Sequence, residues 1–264
     1  MNGILFAVAL VAGIGLLIGL ILSIASIVMA VPKDEKAEQI LEALPGANCG
    51  ACGYSGCSGY ANAIAKGEAE VGMCAPGGLA CTQEISKILG IDAKGAEPKV
   101  AVVKCMGSLD NTTYKAEYTG IKSCSAAMKI GGGLTACSYG CMGLGDCEAV
   151  CPYDAIHVCN GVAVVDKDKC KACTLCVKAC PRQIIEIVPL KNQAIVRCSN
   201  RDKGAVTRKL CKTGCIGCKK CEKTCEYGAV KIENFCAYVT SSLCTGCGKC
   251  VDACPQQCIT YFES

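Results

Sequence analysis

Residues 4–31 (ILFAVALVAGIGLLIGLILSIASIVMAV) form a run of 28 positions without a charge, where about 20 apolar residues suffice to span a bilayer as a helix. The run predicts a transmembrane anchor over residues 1–32. A secretory signal peptide fits poorly, because no basic residue precedes the run and it is too long. Downstream the pattern changes. Residues 33–44 read as a short amphipathic helix with Ile40, Leu41 and Leu44 on one side, ended by Pro45-Gly46. Residues 58–67 and 82–89 read as helices, and Gly90 to Pro98 as a polar linker. From there the apolar runs shorten to strand length: Val100–Val103, Val162–Val165, Ile184–Val188, Ala229–Ile232, Ala237–Val239 and Ile259–Phe262. Val196 to Lys209 reads as a connection. The pattern predicts an α+β chain: an anchor, a small helical domain over residues 33–95, and two tandem strand-and-helix units over 96–189 and 190–264.

Composition changes this picture in one respect. The chain has 264 residues with no Trp, 5% aromatics and 30 Gly, which is poor material for a large apolar core, yet it has 28 Cys. Their spacing explains them. Cys170-x2-Cys173-x2-Cys176-x3-Cys180-Pro181, Cys215-x2-Cys218-x2-Cys221-x3-Cys225 and Cys244-x2-Cys247-x2-Cys250-x3-Cys254-Pro255 are each the C-x2-C-x2-C-x3-C run that holds cubane iron–sulfur clusters. In two-cluster ferredoxins the fourth Cys of such a run ligates the other cluster. A looser run, Cys137-x3-Cys141-x5-Cys147-x3-Cys151-Pro152, ends in the same way. The cross-over predicts four clusters: on Cys137, Cys141, Cys147 and Cys180; on Cys151, Cys170, Cys173 and Cys176; on Cys215, Cys218, Cys221 and Cys254; and on Cys225, Cys244, Cys247 and Cys250. The helical domain carries C-x2-C-x4-C with a distant fourth cysteine, which predicts a fifth cubane on Cys49, Cys52, Cys57 and Cys74. Zinc is the competing reading of paired cysteines, but a structural zinc site closes with four ligands and needs no third step.

Eight cysteines stand outside these sets: Cys81, Cys105, Cys124, Cys159, Cys198, Cys211, Cys236 and Cys258. Most read as small buried hydrophobes. Cys105 and Cys124 are candidates for a further site, and Cys211 for a competing ligand beside Cys215. Thiolate ligands require a reducing compartment. Together with Lys33 and Lys36 after the apolar run, this predicts a membrane protein whose iron–sulfur domains face the cytoplasm. The formal charge is only +4. Its distribution is uneven: Arg197, Arg201, Lys203, Arg208, Lys209, Lys212, Lys219, Lys220 and Lys223 are opposed only by Asp202 and Glu222. That stretch is read as a landing site for an acidic protein partner, with a solvated basic face as the alternative. The chain has no dinucleotide fingerprint and no nucleophile–base set, which argues against a complete active site of its own, and nothing points to nucleic acid.

A glycine-rich apolar span, then NCGACGYSGC, then CSYGCMGLGDCEAVCPYDAI, then two regular ferredoxin runs resembles the B subunit of the Rnf complex. The resemblance covers nearly the whole chain and fits the longer versions found in anaerobic bacteria. It implies a subunit of a membrane ferredoxin:NAD oxidoreductase that couples electron flow to sodium or proton export. Such a subunit takes electrons from reduced ferredoxin and passes them to membrane partners, while flavins and the NAD site lie on sister subunits. An electron-carrying subunit of a different membrane oxidoreductase, or a scaffold that uses metal only to fold, are the other readings.

Overall fold

The computed structural model describes residues 2–28, 34–93, 95 and 97–262. The first element, α1 (Asn2–Val28), is a single helix of 27 residues, about 40 Å long at the α-helical rise. Its window Val8–Ala25 has a mean hydropathy of 2.7 and no buried residue. Among the described residues such a helix has no apolar partner. The end of the expected span, residues 29–31, lies outside the described residues.

Three helices follow: α2 (Glu35–Ala43), α3 (Cys57–Ala65) and α4 (Gly78–Leu89). They close on a small core of Ile40, Leu44, Tyr60, Ala61, Ile64 and Ile85, with Cys57 and Cys81 inside it. Asp34 caps α2 by accepting from the Lys36 amide at 3.0 Å. Leu41 points to solvent rather than joining Ile40 and Leu44. The helix α4 starts earlier than its apolar pattern suggests, because Cys81 and Thr82 are drawn into the core. Gly90 ends it in the left-handed conformation (φ 67°).

The remainder is built from short elements. In order they are β1 (Lys99–Val103), α5 (Cys124–Lys129), α6 (Asp146–Ala149), β2 (Ile156–Cys159), β3 (Val162–Val165), α7 (Leu175–Ala179) and β4 (Ile185–Pro189), followed by β5 (Gln193–Val196), α8 (Gly204–Leu210), α9 (Lys220–Thr224), β6 (Val230–Glu233), β7 (Cys236–Val239), α10 (Lys249–Asp252) and β8 (Ile259–Phe262). The strands form four antiparallel pairs: β1 with β4, β2 with β3, β5 with β8, and β6 with β7. Thus each half nests a hairpin inside an outer strand pair. The strand β5, placed by the sequence pattern partly in a connection, pairs Val196 with Ile259 and Gln193 with Phe262.

The two halves repeat at a constant residue offset. It carries Cys137, Cys141, Cys147 and Cys151 onto Cys211, Cys215, Cys221 and Cys225, and the later run at Cys170 onto that at Cys244. Left-handed backbone repeats with it: Asn160-Gly161 (φ 49° and 76°) matches Asn234-Phe235 (φ 47° and 62°), and Gln183 (52°) matches Gln257 (49°). Asn-Gly is a favoured hairpin turn; Phe235 holds the same turn at a steric cost. The turn's carbonyl explains one glycine. A Cβ on Gly217 (φ +62°) would lie 2.9 Å from the Phe235 carbonyl oxygen.

Each half has its own core, and cysteines make up much of both. Val100, Val102 and Ile195 join the halves, packed with Val165, Val188 and Leu190.

Candidate iron–sulfur centres

The described residues bring the cysteines together in groups. Cys250 has Cys244, Cys225 and Cys247 within electrostatic reach. Cys221 has Cys215, Cys254 and Cys218 within electrostatic reach. In the first half, Cys176 is flanked by Cys170, Cys173 and Cys151, and these four line a cavity of about 330 Å³ with Ala101, Ile156 and Ile187. The local backbone explains the convergence. After each left-handed residue, Thr174 or Gly248, one helical turn presents Cys176 or Cys250 inward and the fourth Cys leaves at the helix end.

The looser run behaves differently. Cys141, Cys147 and Cys180 line a cavity of about 380 Å³, and the fourth thiol there is Cys124, not Cys137. The repeat gives the reason. The position equivalent to Cys218 is Leu144, so this run lacks one internal thiol, and Cys124 at the start of α5 lines the cavity in its stead. Asp146 fixes α5 in place: its carboxylate accepts from the amides of Cys124 and Ser125, both at 2.8 Å, and from the Ser125 hydroxyl at 2.7 Å. Burial works against that charge, but these hydrogen bonds outweigh it and hold Asp146 below the usual carboxylate range. Cys137 instead lines a neighbouring cavity with Cys105, Cys198 and Cys211. The departure of Cys137 and the missing internal ligand at Leu144 were the signals for Cys124, visible once the two halves are aligned.

Cys52, Cys57 and Cys74 pack on the three-helix core, and Cys49, Cys57 and Cys74 lie within electrostatic reach of one residue, Tyr153. Asn48 (φ 46°) turns the first loop and accepts from the Cys57 amide at 2.9 Å. Tyr60, 1% exposed, secures the second: its hydroxyl donates to the Glu70 carbonyl at 2.8 Å and accepts from the Met73 amide at 3.0 Å. The neighbouring Cys81 thiol holds the Cys74 pKa below the ordinary thiol range. This group abuts the first half. Lys178 donates to the Cys49 carbonyl at 2.9 Å, and Tyr153 lies within electrostatic reach of Cys173 and of Cys49, Cys74 and Cys57.

The donors suit iron–sulfur clusters. Buried thiols resist ionisation: desolvation pushes Cys147 and Cys221 up to about 12, and Cys176 and Cys250 to about 11. They become thiolates only with compensating positive charge, which iron supplies. Backbone amides point at the sulfurs: Ala101 at Cys170, Ala155 at Cys151 and Ala237 at Cys215, each at 3.4 Å. Among the described residues no three His, Cys, Asp or Glu side chains close around a single ion.

The surface is uneven. Cys218 and Cys247 are exposed. The basic stretch that contains Cys218 presents Arg201, Lys203, Arg208, Lys209, Lys212, Lys219, Lys220 and Lys223 to solvent. Arg197 does not belong to that face; it is half-buried and donates to the Val103 carbonyl at 2.7 Å.

Family models match four segments of the chain. Residues 44–76 match "Putative Fe-S cluster", while 163–186, 237–260 and 212–228 match 4Fe-4S binding domains. The chain is 42% identical to the B subunit of the Na(+)-translocating ferredoxin:NAD(+) oxidoreductase complex of Acetobacterium woodii, over 98% of this chain and 78% of that one. It is 36% identical to the B subunit of the ion-translocating oxidoreductase complex of Methanosarcina acetivorans, over 96% of each chain. The B subunit of a proton-translocating ferredoxin:NAD(+) oxidoreductase complex from Clostridium ljungdahlii is 36% identical over 100% of this chain and 94% of its own.

Proposed function

The chain belongs to the B subunits of the ion-translocating ferredoxin:NAD oxidoreductase complexes, and from that premise we propose that it carries electrons from reduced ferredoxin through at least five 4Fe-4S centres to partner subunits at the membrane. It is an iron–sulfur electron-transfer subunit of an oxidoreductase. The observation that carries the finer reading is the serial placement of the thiol groups. The Cys49 group touches the first half through Lys178 and Tyr153, and the second half adds two further groups beyond it.

We read the two nested strand sets as dicluster ferredoxin-like units over residues 96–189 and 190–264, after an anchor over 1–32 and a helical iron–sulfur domain over 33–95. The ligand sets are Cys49, Cys52, Cys57 and Cys74; Cys151, Cys170, Cys173 and Cys176; Cys215, Cys218, Cys221 and Cys254; Cys225, Cys244, Cys247 and Cys250; and, with Cys124 in place of Cys137, Cys124, Cys141, Cys147 and Cys180. When bound, each cluster supplies one-electron chemistry at low potential. The chain's own residues do the rest. They bury the thiols, aim amides at the sulfurs to set potentials, and leave Cys218 near the surface under a basic face. Thiolate ligands need a reducing compartment, and with the apolar helix α1 this supports a reading in which these units face the cytoplasm. Flavin- and NAD-binding partners are taken to be separate subunits.

The test is an EPR-monitored redox titration of the anaerobically purified chain, with reduction by ferredoxin followed in parallel. Several low-potential cubane signals that ferredoxin reduces in a salt-dependent way are expected. A colourless protein with stoichiometric zinc would overturn the reading.

A further inference from the structure

The two halves leave four cysteines in matching places, two by the constant offset and two by their outer strands, that no ferredoxin-type set uses. Cys105 stands two residues after β1, and Cys198 two residues after β5. Cys137 and Cys211 each stand four residues before the first ligand of a run, Cys141 or Cys215. Their surroundings repeat as well. The Cys105 sulfur accepts from the amides of Gly107 and Cys141, both at 3.3 Å. The Cys198 sulfur accepts from the amides of Asn200 and Cys215, at 3.5 and 3.3 Å. These are the amide-to-sulfur contacts made by the ligand thiols described above.

All four line one cavity of about 400 Å³, much like the 380 Å³ and 330 Å³ cavities of the first half. Two thiols come from each half. Cys105, Cys137 and Cys198 are under 9% exposed. The Asn200 side chain, 2% exposed and belonging to the second half, donates to the Cys137 sulfur of the first at 3.4 Å. Arg197 also lines the cavity and has no carboxylate partner among the described residues. A half-buried cation with no acid is out of place beside thiols but suits a thiolate cluster of net negative charge. Backbone bonds from Thr113 to Leu210 (3.1 Å) and from Lys212 to Asn111 (2.8 Å) clamp the halves around it.

We propose that Cys105, Cys137, Cys198 and Cys211 jointly hold a sixth iron–sulfur cluster, built at the junction of the two halves. The inference rests on the iron–sulfur reading above and extends it. No matched family segment includes any of the four cysteines. Position gives the site its role. Cys141 lines both this cavity and that of the first half, and Cys198 accepts from the amide of Cys215, a ligand in the second half. The junction site therefore connects two rows of centres into one. Passage through it is a one-electron exchange with its neighbours, with no bond made or broken, the electron coming from a reduced low-potential iron–sulfur protein.

The experiment counts iron and acid-labile sulfide in the anaerobically reconstituted full chain and in the double variant Cys105→Ala/Cys211→Ala, one change from each half. At four irons per cubane, about twenty-four are expected in the wild type and about twenty in the variant, with one component missing from the titration. Asn200→Ala is the second arm, because it leaves every thiol in place. It should keep the wild-type iron count and move the midpoint of a single component to more negative potential, since an N–H···S bond favours the reduced cluster. A wild-type count of about twenty, unchanged in the double variant, with Asn200→Ala shifting no midpoint, would overturn the sixth site while leaving the five-centre reading intact. A wild type with little iron would overturn both.

Discussion

At the residue scale, Asp146 illustrates how a single carboxylate can complete a metal site it does not ligate. It collects the Cys124 and Ser125 amides and the hydroxyls of Ser123 and Ser125, and so brings α5 to the gap opposite Leu144. Hydrogen bonds to a charged group contribute about 1.5–3 kcal/mol each, and their loss leaves the partners unsatisfied. Asp146→Ala should therefore free α5 and lower iron by about one cubane, four irons, on mild chelator challenge; Asp146→Asn, which keeps an acceptor, should lose less. Parallel iron assays on the two variants check this. His157, the chain's single histidine, offers a pH probe. Its Nδ1 lies 3.2 Å from Glu148 and its Nε2 3.1 Å from the Asp154 carbonyl. The Glu148 hydrogen bond, then that to Asp154, raises its pKa above the ordinary 6.5. A raised value means the contribution is complete below pH 6.5 and is lost as pH climbs through the folded-state pKa. Melting curves of wild type and His157→Gln should differ most in mild acid and converge in mild alkali.

At the element scale, short helices and strands here are positioned by turns and thiols more than by apolar periodicity. The helices α6, α9 and α10 have five residues or fewer, too short to carry a readable pattern. That is why the cysteine runs were legible where the elements were not. The hairpin strand β2 lay unseen beside an Asn160-Gly161 turn that could have announced it. The strand β5 was hidden because its partner β8 lies at the far end of the chain, and local sequence does not encode distant pairing. Cys124 was legible only as a candidate, since its spacing obeys no run. In the three-helix domain, Tyr60 ties α3 to the loop before Cys74. Tyr60→Phe removes a hydroxyl that serves two backbone groups and should cost about 1–3 kcal/mol. Iron in the Cys49, Cys52, Cys57, Cys74 group should then be lost at lower temperature than the rest, seen as the earliest bleaching component in a thermal scan.

At the scale of the whole molecule, charge and anchor decide encounters. Eight exposed basic residues lie in the stretch 201–223 that carries the exposed Cys218, and opposite fields can raise on-rates by about 10–10³-fold in a manner salt suppresses. Reversing Lys212, Lys219 and Lys220 to Glu should slow reduction by ferredoxin, most at low ionic strength, and leave reduction by a small neutral donor unchanged. Stopped-flow traces at two salt concentrations measure both, and an unaltered ferredoxin rate would move the landing site elsewhere. The nested strand pairs carry one more consequence, for the order in which the chain matures. Every thiol of the two ferredoxin-type groups in the first half precedes β4, so that half can finish on the ribosome while the second is still being made. The cavity between the halves cannot, for Cys198 and Cys211 emerge later and the Thr113–Leu210 and Asn111–Lys212 clamps close only after them. Nascent chains halted before β5 would display Cys105 and Cys137 on an open face, a ready signal by which quality control could tell an unfinished molecule from a finished one.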